Sequence, residues 1–292
     1  MKKVLIFGSK GLLGTDLARI GKDLNYDLSA FSRHDLDITH YRILKDAIFS
    51  IEPDFVINAA AITNPLRCQE EKNLAMEVNA TAVKHMAEIC WDLGCTLVHF
   101  STEQVFDGSQ SSPYVESHGI LKPVNFYGYT KAKAESYIAL LQRLVHADHP
   151  LQYYLIRSSW LFGSGRNNFV ENIFRAVSDT GRAEALYDQS SIPTFSSDLA
   201  RRTYEIIAWE LPFGIYHATN QGSATQFEVA EAVISLGGFQ EAQIQPLYRK
   251  NITDRRAPLA PSVILGNTKL PLMRHWKDAL MEYLTDLKNK AI

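Results

Sequence analysis

The sequence predicts an α/β protein: a doubly wound parallel sheet with a smaller, discontinuous carboxyl-terminal part. Two observations in the first half point there. Short, wholly apolar runs alternate with segments of helical periodicity, and a glycine-rich turn separates the first run from the first helical segment. A third observation sets the second part off: after about residue 160 the helical segments stand farther apart, between loops rich in Ser, Pro and Gly.

The apolar runs are VLIF at 4–7, LSAF at 28–31, FVIN at 55–58, LVHF at 97–100 and YYLI at 153–156. Runs this short and this apolar suit parallel strands buried on both faces. Between them, residues 12–20, 41–48, 75–91 and 127–145 carry apolar residues at helical spacing, and 169–177, 197–209, 227–234 and 275–287 do so further on. The expected division is a dinucleotide-binding Rossmann domain over 1–160. Residues 161–292 form mostly a substrate-binding part, with some segments returning to the first domain.

The turn after the first run reads Gly8-Ser-Lys10-Gly11-Leu12-Leu13-Gly14. Backbone that approaches a pyrophosphate needs glycine, because a β-carbon would collide with it, and a following helix offers N–H groups and a positive dipole end. The spacing is GxxGxxG rather than GxGxxG, so the strand before and the helix after carry the assignment. Past the second run come Ser32 and Arg33. An arginine there accommodates a 2′-phosphate, which favours NADPH; Asp35, 21 positions after Gly14, keeps NADH open.

YGYTKAKAE at 127–135 holds two overlapping Tyr/Lys pairs at i, i+4: Tyr127 with Lys131, and Tyr129 with Lys133. Offset by two residues, they point roughly 200° apart on a helix. The face of Tyr127 and Lys131 continues through Ala134, Ile138, Leu141 and Val145, whereas that of Tyr129 and Lys133 continues through Ser136, Leu140 and Arg143. The first face is the buried one, which assigns Tyr127 as proton donor and Lys131 as the charge that lowers its pKa. Gly128 lets another group approach the backbone beside Tyr127. A hydroxyl to hold a carbonyl is offered by Ser101 or Thr102, just past the LVHF run; side chains alternate along an extended segment, so only one of them faces the reacting side.

Composition narrows the remaining classes. With 292 residues, 46% hydrophobic and 21% charged, a formal charge of −2 and no long basic run, nothing indicates nucleic acid or an acidic membrane surface. Cys68, Cys90 and Cys95 form no CxxC and read as free buried thiols rather than a disulfide framework or a zinc site, so no metal ligands are assigned. The amino-terminal apolar stretch is cut by glycines, and no segment reaches the roughly 20 apolar residues that span a bilayer. The expected location is the cytoplasm.

Taken in order, GSKGLLG, LDIT at 36–39, NAAAIT at 58–63, VNAT at 78–81, STEQVFDG at 101–108, PVNFYGYTK at 123–131, RSSWLFG at 157–163, NNF at 167–169 and DQSSIPT at 188–194 resemble one family over nearly the whole chain. It is the dTDP-4-dehydrorhamnose reductases, extended-type short-chain dehydrogenase/reductases. The resemblance implies Thr102, Tyr127 and Lys131 as catalytic residues. It also implies that the glycine loop, Ser32, Arg33, Asp37, Ile38, Ala59, Ala60 and Ala61 hold the cofactor, and that Thr63, Glu103, Gln104, Trp160 and Asn168 line a sugar-nucleotide pocket. The family's usual STDYVF is STEQVF here, so Glu103 replaces Asp and Gln104 replaces a Tyr that contacts the deoxyhexose; the family's Arg-Pro is out of register in RRAPLAPSVIL, with Arg255 or Arg256 available to a diphosphate. The implied reaction is hydride delivery to the C4 ketone of a nucleotide-linked 4-keto-6-deoxyhexose in deoxysugar and polysaccharide biosynthesis, with a homodimer compatible. Two rivals keep the same fold: a non-catalytic regulatory subunit resembling the β subunit of methionine adenosyltransferase, and a sugar-nucleotide epimerase.

Overall fold

A computed structural model of the chain describes residues 1–144, 149–251 and 257–291. Its first half alternates strand and helix: β1 (Lys3–Phe7), α1 (Leu12–Asp23), β2 (Asp27–Phe31), α2 (Tyr41–Ile51), β3 (Phe55–Asn58), α3 (Pro65–Glu70), α4 (Lys72–Met76), a π-helical turn over Glu77–Thr81, α5 (Ala82–Leu93), β4 (Thr96–Thr102), α6 (Phe126–Leu144) and β5 (Tyr153–Ser158). The remainder runs β6 (Leu161–Phe162), α7 (Phe169–Thr180), β7 (Arg182–Leu186), β8 (Ser190–Ser191), β9 (Thr194–Phe195), α8 (Ser196–Ala208), β10 (Gly214–His217), β11 (Ala224–Thr225), α9 (Gln226–Gly237), β12 (Gln243–Leu247) and α10 (Trp276–Ala291).

Six strands form one sheet in the order β10-β5-β4-β3-β1-β2, all parallel. The order reverses between β1 and β3, the switch point where such sheets bind ligands. Alternate residues feed two cores. Val4, Ile6 and Val98 pack with Leu17 of α1 and Leu199 of α8, while Leu5, Val56 and Leu97 pack with Leu44, Met86 and Ile138. Burial on both faces explains why β1 and β3–β5 read as unbroken apolar runs. β2 does not follow that rule: as an edge strand it is partly exposed throughout.

The sixth strand, β10, carries no long apolar run and reads as a loop in the sequence. It is ordered by pairing with β5, from Gly214 opposite Tyr154 to His217 opposite Arg157. A separate core gathers Val170, Ile173, Val229, Val233, Trp276, Leu280 and Tyr283 from α7, α9 and α10. Among the described residues no helix is long and apolar enough to cross a membrane.

Candidate active site

The glycine turn is a cradle that side chains would fill. Gly8 has φ +82°, and a β-carbon there would sit 2.6 Å from Ala60 N; one on Gly14 would lie 2.0 Å from Gly8 O. Gly11 begins α1 with no side-chain cap, so the first N–H groups of the helix face the turn. Backbone donors, an open helix end and packing against Ala59 and Ala60 fit a dinucleotide diphosphate. Leu12 is half-buried beside the turn, and Leu13 buries its side chain in the core, leaving only its backbone to the cradle.

At the second-strand exit Asp35 is engaged locally. Asp35 accepts from Ser32 N (2.8 Å) and Ser32 Oγ (2.6 Å), bonds that hold its carboxyl below the usual range and commit it to closing this turn. Ser32 is buried, whereas Arg33 and Lys10 are exposed. Asp37 caps Thr39 through N–H and hydroxyl bonds (2.9 and 2.8 Å), and Ile38 is core. The rim thus carries two exposed cations, Arg33 and Lys10, beside the hydrogen-bonded carboxylates of Asp35 and Asp37.

On α6 the two tyrosines part as the helical faces require. Tyr127, Lys131, Ala134 and Ile138 are buried, while Tyr129 is 41% exposed with Lys133 over its ring at 5.8 Å. A β-carbon on Gly128 would meet Gln104 O at 2.1 Å, so this glycine is what lets the strand exit close against the helix. β4 runs on through Ser101 and Thr102, and the alternation decides between them. Ser101 Oγ donates to Glu135 on α6 at 2.5 Å, and Thr102 Oγ1 donates to Glu103 Oε2 at 2.7 Å on the Tyr127 side.

The electrostatics differ from the simple expectation. Burial pushes the Tyr127 phenol above its usual value and the nearby Glu103 carboxylate adds to that, while its hydrogen bond with Thr102 opposes. Lys131 is turned toward His99, 3.0 Å from Nε2, and burial brings its pKa down to about 7. Burial likewise raises Glu103 to about 7. Tyr127 is thus held protonated, the form that a proton donor needs.

Glu103, Gln104, Trp160, Gln189, Ser190 and Ala260 line a narrow cavity at the carboxyl ends of β4 and β5. Trp160 has φ +31° at the turn between β5 and β6, a strained position for an aromatic residue. Gln104 Oε1 accepts from Asn125 Nδ2 (2.9 Å), and its Nε2 makes no hydrogen bond among the described residues. Asn125, which stands in the sequence only as part of PVNFYGYTK, also donates to Pro258 O (3.0 Å) and accepts from Gly128 N (2.8 Å), joining the start of α6 to both walls of the cavity. Its local sequence signal is that of a helix N-cap, an Asn directly before Phe126, the first residue of α6.

Two expected pocket residues do not line this cavity. Asn168 caps α7, accepting from Glu171 N (3.2 Å), and gives both amide hydrogens to internal partners, Gly163 O (2.8 Å), Arg166 O (3.3 Å) and Tyr283 Oη (3.0 Å). Thr63 is exposed after β3 and lines no part of this cavity. Arg255 and Arg256 lie outside the described residues. The three cysteines are free and buried, and no His/Cys/Asp/Glu cluster suited to a metal occurs among the described residues.

A wider concavity opens at the opposite edge of the sheet, between Lys2, Asp54, Cys95, Tyr154 and Phe213. It faces the amino ends of the strands, away from the switch point and the tyrosine, and does not compete as the site.

Over residues 1–289 the chain matches the family model described as the RmlD substrate binding domain. It is 34% identical over 296 residues to a dTDP-4-dehydrorhamnose reductase of Streptomyces griseus, covering 98% of this chain and 94% of that one. A dTDP-4-keto-6-deoxy-D-glucose reductase of Streptomyces niveus is 31% identical over 284 residues, 95% of each chain. The fold matches the crystal structure of a Bacillus anthracis dTDP-4-dehydrorhamnose reductase in complex with NADP with a TM-score of 0.90 at 27% identity, over 98% of this chain and all of that one.

Proposed function

Because the chain belongs to the dTDP-4-dehydrorhamnose reductase family, we propose that it is an NADPH-dependent reductase of the C4 ketone of a nucleoside-diphosphate 4-keto-6-deoxyhexose. The observation that carries this reading is the protonated, buried Tyr127 facing Thr102 at the carboxyl end of β4, beside a glycine cradle that fits a dinucleotide.

The bound cofactor supplies the hydride. Tyr127 donates the proton to the carbonyl oxygen as it becomes an alkoxide, and burial keeps that proton on the phenol until the oxygen turns basic. Thr102 holds the same oxygen from the strand side. A bound NADPH would be held by Lys131 at its nicotinamide ribose and by Arg33, at the exposed rim, at its 2′-phosphate. Trp160 covers the sugar ring, and Glu103 and the open Gln104 amide contact its hydroxyls. The regulatory-subunit reading would leave the Thr102–Tyr127–Lys131 arrangement without a use. A reductase of this kind would serve deoxysugar and polysaccharide biosynthesis in the cytoplasm.

The test is nicotinamide absorbance loss with dTDP-4-keto-6-deoxy sugars differing in stereochemistry. Gln104 offers an amide where the family's tyrosine offers a ring and a phenol. The expected result is NADPH oxidation with a best substrate other than the rhamnose precursor, and a narrower kcat/KM difference in Gln104→Tyr. No oxidation with any 4-keto sugar nucleotide would remove the reductase reading.

A further inference from the structure

Asn58 and His99 sit opposite each other on the paired strands β3 and β4, beneath α6, and the chemistry assigned above uses neither. Both are buried to within 1% of their surface. Asn58 Oδ1 accepts the Ala60 N–H at 3.0 Å, which fixes the orientation of the amide. The group turned toward His99 Nδ1, 3.3 Å away, is therefore the NH2. An amide nitrogen only donates, so Nδ1 is the accepting nitrogen of the ring. Burial holds His99 well below its usual pKa, so the ring is neutral, and with Nδ1 accepting, its one proton is on Nε2. Nε2 is the atom 3.0 Å from Lys131 Nζ. An ammonium has no lone pair, so this hydrogen bond forms only with the free amine.

The groups around Lys131 agree. Glu135, one turn along α6, would favour the ammonium, but Arg157 of β5 grips that carboxylate through Nε (3.0 Å) and Nη2 (2.6 Å). Cys68 of α3 also faces it, with its thiol raised to about 11 by burial and so uncharged. Tyr127 is a neutral phenol, and Glu103 lies beyond it.

We propose that Asn58 and His99 are a positioning pair that holds Lys131 as the uncharged amine in the cofactor-free protein, and that Lys131 takes up one proton from solvent when the dinucleotide binds. The second half rests on the cofactor reading above. Ribose hydroxyl oxygens accept from an ammonium, and the diphosphate adds negative charge, so binding reverses the preference set by His99. Lys131 is then protonated at higher pH in the complex than in the free protein. NADPH affinity accordingly falls about tenfold per pH unit as pH rises from about 7 toward the ordinary lysine value.

The cofactor-free protein is examined first, by long-range proton–nitrogen NMR of the imidazoles. The expected result is a neutral Nε2–H tautomer for His99. Asn58→Asp should switch it to Nδ1–H, because a carboxylate accepts from Nδ1 and frees Nε2 to accept from an ammonium. Titration calorimetry with NADPH at pH 8, in two buffers of different ionisation enthalpy, should then give uptake close to one proton for wild type and close to none for Asn58→Asp. If that variant does not fold, His99→Gln, whose carbonyl accepts from an ammonium, should lose the uptake in the same way. An Nδ1–H tautomer in wild type overturns the positioning pair and leaves the cofactor reading standing. Binding without uptake, or uptake unchanged in the variants, overturns the proposal. Absence of any NADPH binding overturns the cofactor reading and the uptake together.

Discussion

At the residue scale the site depends on which of two nearly identical side chains is buried. Tyr127→Phe removes one hydroxyl from a packed ring, so the fold and NADPH affinity should stay close to wild type while kcat falls roughly 10²–10⁴-fold, as for loss of a general acid. Tyr129→Phe, on the exposed face, should change kcat little; steady-state kinetics on the two variants checks this, and the reverse outcome would sink the assignment. Glu103 makes a separate pH prediction. Its folded pKa, raised to about 7, lies above the roughly 4.3 of an unfolded glutamate, so the folded state holds the extra proton between those values. The stability it contributes is complete below the unfolded value and is lost as pH rises through the folded one. Relative to Glu103→Gln, wild type should lose about 2–4 kcal/mol between pH 4 and pH 8, read by urea unfolding at a series of pH values. Parallel pH profiles would show that Glu103 is not held neutral.

At the scale of elements, α6 is fixed to the sheet by charge. Glu135 joins Ser101 of β4 and Arg157 of β5, and Arg157 continues to His217 Nε2 on β10 at 3.3 Å. This ladder sets the helix against three strands, and Lys131 is one turn before it. Removing one partner leaves a buried charge, so Glu135→Leu or Arg157→Met alone should cost about 3–5 kcal/mol, whereas the double variant should cost clearly less than the sum. Denaturant unfolding of the three variants checks this; additive losses would mean that the two side chains act separately. A second clamp works from the loop after β3. Asn79, in the π-turn, exchanges bonds with Ile62 N (2.8 Å) and O (2.9 Å) and donates to Thr130 on α6 (3.0 Å). Irregular helix at such a place is common near functional sites.

At the scale of the molecule, the cavity lies where the carboxyl ends of β4 and β5 meet Gln189, Ser190, Leu259 and Ala260 from the later chain. A ligand seated there, or a dinucleotide in the glycine cradle, would bind only the folded protein. NADPH at a hundredfold excess over its Kd should add about 2.7 kcal/mol to the unfolding free energy, visible as a rise in Tm. Arg33→Asp should shrink the rise given by NADPH and spare that given by NADH, since only the 2′-phosphate loses a cation. Equal losses for both cofactors would take Arg33 out of the 2′ site.

What the sequence determined by itself was local and periodic. The strands β1 and β3–β5, the helix carrying Tyr127 and the glycine cradle follow from apolar runs, 3.6-residue spacing and the space a β-carbon would need, all encoded within a few neighbouring residues. The buried face of α6 was legible for the same reason. Tertiary structure decided what depends on partners distant in the chain. β10 is a strand because β5 lies beside it. Asp35 is spent on Ser32, and Asn168 on Tyr283, 115 positions away. Asn58 and Asn125 fall inside motifs, and Asn125 before a helical segment, but like His99 they gain their roles only because β3, β4 and α6 converge. A hydrogen-bond direction, and the charge it fixes on Lys131, depends on which atoms meet within about 3 Å, and only the folded chain brings those atoms together.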